Sequence, residues 1–250
     1  MKLTVITGAS RGLGAALATA MMAPGHRLVC LARGSMAALE ARAAAQGCTL
    51  DAVNVDLSDV AAGVAALEAS LAGMAPEAFT EICLINNAGT VEPVRPVERL
   101  LPAEIDASVA LNLGAPIALT ACFLRATGSW NAERKILNIT SGAAHKPYQG
   151  WSVYCATKAA LDHFSRCLAS EQQDLAGGAR VVALAPGMID TDMQAVIRKL
   201  APGDFKDQPR FLALKQSGAL ISPEAAARRI IAYLKRSDFG ERTIVDLRDA

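Results

Sequence analysis

Seven short apolar runs recur along the chain, at 3–6, 28–31, 50–55, 82–85, 136–139, 181–185 and 243–245, most of them nearly continuous in apolar residues. A strand that is apolar on both sides has to be covered on both sides, which is the situation of a strand inside a parallel sheet. Between these runs lie longer stretches with helical periodicity, at 12–22, 36–46, 59–72, 103–126, 151–174 and 222–236. Ser58-Asp59 and Ser222-Pro223-Glu224 read as helix starts, each with a capping side chain and the second with proline in the first turn. Repeated strand–helix–strand units imply right-handed crossovers. The expected fold class is therefore α/β: a single Rossmann-type doubly wound domain over 1–250, with a seven-stranded parallel sheet and helices on both faces. No Gly-, Pro- or Ser-rich linker marks a second domain. The stretch 188–221, with Pro202-Gly203, Pro209 and Gly218, interrupts the pattern. It is read as a substrate-loop segment, with an ordinary surface excursion as the alternative.

Composition narrows the partners. The chain carries 25 Lys and Arg against 24 Asp and Glu, without the basic excess that nucleic acid or a membrane surface selects for. No uninterrupted apolar run reaches the roughly 20 residues of a bilayer span. The first apolar run stops at Thr7, Gly8, Ser10 and Arg11, too early for a signal peptide. Cys30, Cys48, Cys83, Cys122, Cys155 and Cys167 are scattered without a C-x-x-C pair, so they read as small buried apolar residues in a reducing compartment. The expectation is a cytoplasmic protein without a metal site.

Directly after the first run comes Thr7-Gly8-Ala9-Ser10-Arg11-Gly12-Leu13-Gly14, leading into a helix. Glycines allow the tight turn, the close approach of backbone to a pyrophosphate, and close packing of helix on sheet. The helix start offers free N–H groups and partial positive charge to phosphate. The spacing G-x-x-x-G-x-G differs from the common dinucleotide fingerprint and from a Walker A loop. The second run ends Cys30-Leu31-Ala32-Arg33-Gly34, with no acid for a ribose 2′-hydroxyl. Arg33, joined by Arg11, suits a 2′-phosphate instead, so NADP(H) is expected over NAD(H). Asp56-Leu57 after the third run falls near the adenine or simply opens the next helix.

Tyr154 and Lys158 are four residues apart in a helical pattern and share a face. A phenol titrates near pH ~10, and a nearby ammonium would stabilise its anion and lower that value. Ser141 ends the fifth run, where its hydroxyl could bind a substrate oxygen. With these elements in order the chain resembles a short-chain dehydrogenase/reductase over essentially its whole length. The matching residues are the Thr7-to-Gly14 turn, Asn86-Asn87-Ala88-Gly89, Asn112, Ser141, Tyr154 with Lys158, and Pro186-Gly187 followed by Thr191. The resemblance implies that Tyr154 protonates the carbonyl oxygen, that Lys158 binds the nicotinamide ribose, and that Asn112 holds a relay water. It also implies that Pro186, Gly187, Ile189 and Thr191 contact the nicotinamide amide and phosphate, and that Asn87, Ala88 and Gly89 border the cofactor.

A narrower resemblance, to the sepiapterin reductases and bacterial benzil reductases, rests on Gly150-Trp151-Ser152-Val153-Tyr154-Cys155, on Ala185-Pro186-Gly187-Met188-Ile189-Asp190-Thr191-Asp192-Met193-Gln194 and on Val245-Asp246. It implies that Asp246 anchors a polar substrate; a solvated acid near the chain end is the alternative. Trp151 and Met193 either line an apolar substrate pocket or only pack. His145 either faces the pocket or is structural. The expected function is reduction of a small-molecule ketone or vicinal dicarbonyl by hydride transfer from NADPH. The alternatives are a 3-oxoacyl thioester reductase, a secondary-alcohol dehydrogenase, and a nucleotide-sensing protein without catalysis. The family also implies a homodimer or homotetramer built through 103–126 and 151–174.

Overall fold

The computed structural model describes residues 1–201 and 203–249, so Pro202 and Ala250 lie outside the described residues. The strands are β1 (Lys2–Thr7), β2 (His26–Ala32), β3 (Thr49–Asn54), β4 (Glu81–Asn86), β5 (Glu133–Ile139), β6 (Arg180–Ala185) and β7 (Ile244–Asp246). They form one seven-stranded sheet in the order β3-β2-β1-β4-β5-β6-β7, and every neighbouring pair is parallel. The helices are α1 (Gly12–Met21), α2 (Ala37–Ala45), α3 (Val60–Ala72), α4 (Pro102–Val109), α5 (Ala115–Thr127), α6 (Ser152–Gln173), α7 (Asp192–Arg198), α8 (Gln208–Gln216) and α9 (Pro223–Leu234).

β1 shows why the apolar runs do not alternate. Leu3 and Val5 pack on one side against Leu67 and Leu71 of α3 and Leu119 and Phe123 of α5. Ile6 packs on the other side against Leu13 and Leu17 of α1 and Ile230 and Tyr233 of α9. Each face of the strand has its own core, and the Rossmann-type doubly wound architecture follows.

Both expected helix starts form. The Asp59 carboxylate accepts from the Ala62 N–H, and the Ser222 hydroxyl accepts from the Ala225 N–H with Pro223 opening the helix. Ser222→Ala should cost about 1 kcal/mol of stability, read as a lower denaturant midpoint at unchanged slope.

Two segments carry detail that the sequence did not show. The stretch 188–221 holds two short helices, α7 and α8. Periodicity missed them because each is short and buries few of its own residues, Gln194 and Ile197 in α7 and Phe211 in α8. The long helix expected at 103–126 is α4 and α5 joined by a π-turn at Ala110–Gly114. Together they form one helix, Pro102–Thr127, that is long and apolar enough by length and composition to cross a membrane. Scanning for an uninterrupted apolar run passed over it because polar residues such as Ser108 and Asn112 break its sequence. Its buried residues Ala115, Leu119, Cys122 and Phe123 belong to the core shared with α3 and the sheet, as in the interior helix of a globular fold.

Candidate active site

β1 pairs with β2 on one side and β4 on the other, so the strand order reverses at its C-terminal end. A crevice at such a switch point is where open α/β sheets bind ligands. The glycine turn sits there, and it is laced to the turn after β4. The Thr7 hydroxyl accepts from the Asn87 and Ala88 N–H groups at 2.9 and 3.0 Å, while the Asn87 amide donates to the Thr7 carbonyl at 2.9 Å. Gly8 adopts φ +70°, a conformation that favours glycine, and a Cβ there would lie 2.9 Å from the Ala88 Cα. A Cβ on Gly14 would lie 2.2 Å from the Gly8 carbonyl oxygen. The bare backbone is thus a steric requirement, and it leaves the start of α1 open to a phosphate.

The other candidate cofactor residues ring this turn. The Ser10 hydroxyl lies against Gly34, 2.9 Å from where a Cβ would stand. Arg33 pairs with Asp56 at 3.4 Å, and Arg11 pairs with Asp192 at 3.2 Å. Both guanidinium groups are mostly exposed, so these pairs hold them weakly and leave them free to exchange an acid for a phosphate. Asp56 accepts from the Ser58 N–H at 2.9 Å and its hydroxyl at 2.7 Å. These bonds hold its carboxyl below the usual range, with Arg33 adding to them. The Leu57 side chain is buried in the core against Gly63, so only its backbone is left to border the crevice. The segment containing Pro186, Gly187 and Ile189 is pinned to Ile221 by hydrogen bonds at Met188 and Asp190. It brings the Thr191 methyl to 3.4 Å from where a Cβ on Gly12 would stand, against the glycine turn. A cradle that a Cβ would fill, at a helix start ringed by exposed arginines, fits a dinucleotide.

The second cluster forms beside it. Lys158 and Tyr154 lie on the same face of α6, with the Lys158 ammonium 5.9 Å from the Tyr154 ring centroid. Lys158 Nζ donates to the Ile139 carbonyl at 2.9 Å, which docks α6 onto the end of β5 next to Ser141. The Ser141 hydroxyl stands close enough to the Tyr154 phenol to lower its pKa, and it accepts from the Ala143 N–H at 3.2 Å. Asn112 lies in the π-turn with no exposed surface; its amide donates to the Thr90 carbonyl at 2.9 Å and its carbonyl accepts from the Thr90 N–H at 2.8 Å. A Cβ on Gly89 would stand 3.1 Å from Asn112 Oδ1 and 3.7 Å from Lys158 Nζ, so the turn after β4 borders both clusters.

The electrostatics differ from the sequence expectation. Burial pushes the Tyr154 phenol up to about 12, and the Ser141 hydroxyl only partly offsets it. Burial likewise brings Lys158 down to about 8, against the pull of Asp162. Among the chain's own groups desolvation therefore outweighs the expected lowering of the phenol by the ammonium. Tyr154 stays protonated at neutral pH, the form a proton donor needs.

The remaining candidates divide. Trp151 is buried, its ring 5.3 Å from Tyr154, 4.6 Å from Phe205 and 5.5 Å from Phe211, and Met193 packs against the same cluster. Asp246 is held by Arg248, which donates to Oδ1 at 2.9 Å from Nε and to Oδ2 at 2.5 Å from Nη2. That pairing lowers the Asp246 carboxyl and commits it to its neighbour. Arg248 itself reaches the catalytic end, its Nη2 3.9 Å from where a Cβ on Gly142 would stand. Sequence reasoning passed over Arg248, although its two-residue offset from Asp246 was a usable signal. His145 turns to Asp162, 3.1 Å away.

Comparison with known proteins agrees with this geometry. The family model for short chain dehydrogenase matches residues 2–201. Benzil reductase ((S)-benzoin forming) of Bacillus cereus is 36% identical over 245 residues, covering 98% of this chain and 98% of the relative. Sepiapterin reductase of Meriones unguiculatus is 35% identical over 255 residues, covering 98% and 95%. The crystal structure of 3-oxoacyl-[acyl-carrier protein] reductase from Brucella melitensis in complex with NAD superposes with a TM-score of 0.81 at 25% identity, covering 98% and 95%. The chain belongs to the short-chain dehydrogenase family, the NAD(P)(H)-using oxidoreductases that act on CH–OH and C=O groups.

Proposed function

We propose that this chain is an NADPH-dependent carbonyl reductase acting on a ketone or vicinal dicarbonyl with an aromatic or otherwise flat body. The observation that carries the reading is the meeting of Ser141, Tyr154 and Lys158 next to the glycine turn, with Arg33 rather than an acid at the end of β2. The cofactor, when bound, supplies the hydride. Tyr154 Oη hands its proton to the carbonyl oxygen, and the Ser141 hydroxyl orients and polarises that oxygen. Lys158 would hold the nicotinamide ribose of the bound cofactor, and its ammonium would return a proton to the phenolate. The Asn112 amide is committed to Thr90, so its part in the relay falls to the main chain. A π-turn shifts the hydrogen-bond register and frees a carbonyl to accept from water.

The names of the benzil and sepiapterin relatives support a dicarbonyl or pterin carbonyl as substrate. Residues 188–221 act as the substrate loop of a single 1–250 domain, because α7 and α8 supply Ile197 and Phe211 to the buried aromatic cluster that holds Tyr154. Arg248 takes over the polar substrate contact that the tail of sepiapterin reductase suggested for Asp246. The unpaired state of all six cysteines supports a cytoplasmic location. Exposed Leu101, Val109 and Ile117 on or beside the Pro102–Thr127 helix support a homodimer or homotetramer.

NADPH and NADH assayed in parallel against benzil, a pterin ketone and an acetoacetyl thioester test the reading. Fastest turnover is expected with NADPH and the diketone or pterin; preference for NADH or the thioester overturns the respective half. Arg33→Ala should raise the KM for NADPH about tenfold or more, and leave that for NADH nearly unchanged.

A further inference from the structure

One buried acid on the catalytic helix has no part in this mechanism. Asp162 lies two turns after Tyr154 and one after Lys158, on the same face of α6, with its side chain only 2% exposed. His145 Nε2 sits 3.1 Å from Asp162 Oδ2, and this imidazole is 59% exposed. His145 directly follows the short helical turn Gly142–Ala144 that Ser141 caps. The groups facing Asp162 are His145 from that turn, Thr140 from the end of β5, and Lys158 and Arg166 from its own helix.

The serine turn meets α6 at three successive levels. Lys158 Nζ bonds to the Ile139 carbonyl, the Thr140 hydroxyl reaches the Lys158 carbonyl at 3.5 Å, and His145 approaches Asp162, whose two buried oxygens have no hydrogen-bond partner. The first two use the main chain. The third is an ionisable pair that spans from the interior to the surface.

We propose that Asp162, gripped by His145, is a positioning residue for the reaction: it docks the Ser141 turn onto the Tyr154–Lys158 face and balances the charge of the buried Lys158 ammonium. A buried charge is costly unless another charge answers it. Burial drives the Asp162 carboxyl up and the Lys158 ammonium down, and each group opposes the shift of the other. His145 and Arg166 add to the forces that keep Asp162 ionised.

This inference rests on the proposed reductase activity, and its test separates the two. The pH profiles of kcat and KM, the NADPH dissociation constant and the melting temperature would be compared for wild type, Asp162→Asn, His145→Gln and the double variant. Asp162→Asn should lower kcat about tenfold at neutral pH and move the alkaline limb down by about one pH unit, while NADPH affinity holds. His145→Gln, at an exposed position, should fold normally and cost kcat less, about twofold to fivefold. The double variant should match Asp162→Asn alone, since a coupled pair is non-additive. Additive losses, or an alkaline limb that does not move in Asp162→Asn, overturn the pairing. If Asp162→Asn fails to fold, His145→Gln still decides, because wild-type kcat and KM in that variant refute the grip. A wild-type protein that reduces no carbonyl with NADPH refutes the underlying reading instead.

Discussion

Tyr154→Phe is expected to lower turnover of a diketone by about 10³-fold while NADPH binds as tightly as before. The substitution removes one oxygen and keeps the ring, which packs in the cluster with Trp151, Phe205 and Phe211. Stability should therefore change little, and the missing group is the phenol oxygen that gives up the proton. The phenol is held in its neutral form by burial, up to about 12, so it meets the substrate as an acid. Without it the developing alkoxide has Ser141 as a hydrogen-bond donor but no proton source. Steady-state kinetics with NADPH titrated by fluorescence separate the two effects. Residual turnover within about tenfold of wild type would remove Tyr154 from the chemistry.

Gly14→Ala should be the most damaging change at the cofactor end. The added Cβ would stand 2.2 Å from the Gly8 carbonyl oxygen, 2.8 Å from the Gly8 carbonyl carbon and 2.7 Å from the Asn87 amide nitrogen. Two of these are backbone atoms of the glycine turn, which cannot swing aside as a surface side chain can. The turn has to open, and with it the lacing between Thr7, Asn87 and Ala88. A loss of about 3 kcal/mol in stability and at least about 100-fold in NADPH affinity is expected, from denaturation and ligand titration respectively. Gly73→Ala, at the end of α3 with nothing within 4 Å of the added atom, is the control and should be nearly neutral. Equal effects of the two would show that the crowding at Gly14 relaxes freely.

The sheet was legible in the sequence because every strand near β1 is covered on both sides and so leaves an unbroken apolar run. The glycine turn and the pair Tyr154 and Lys158 were legible because their geometry is local: a turn, and one face of one helix. Contacts between distant segments left less trace. His145 and Asp162 lie seventeen residues apart and meet where α6 packs beside the end of β5, with Lys158 bonded to the Ile139 carbonyl. α7 and α8 were hidden because the partner of Ile197 and Phe211 is Trp151, some fifty residues away in sequence. The π-turn at Asn112 has no periodic signature of its own. Arg33 and Asp56 were both singled out, but their pairing depends on β2 and β3 lying side by side. At the tail a short resemblance pointed to Asp246 alone, and its pairing with Arg248 emerged only from the structure.

The central claim is that this chain moves a hydride from NADPH to a carbonyl carbon while Tyr154 supplies the proton. NADPH carrying deuterium at the transferable position of the nicotinamide, turned over with benzil and followed by mass spectrometry of the product, tests it directly. The account predicts one deuterium on the carbinol carbon of the hydroxyketone from wild type, and about 10³-fold slower formation of that product by Tyr154→Phe. NADPH that binds yet leaves the diketone unlabelled and unreduced would contradict it.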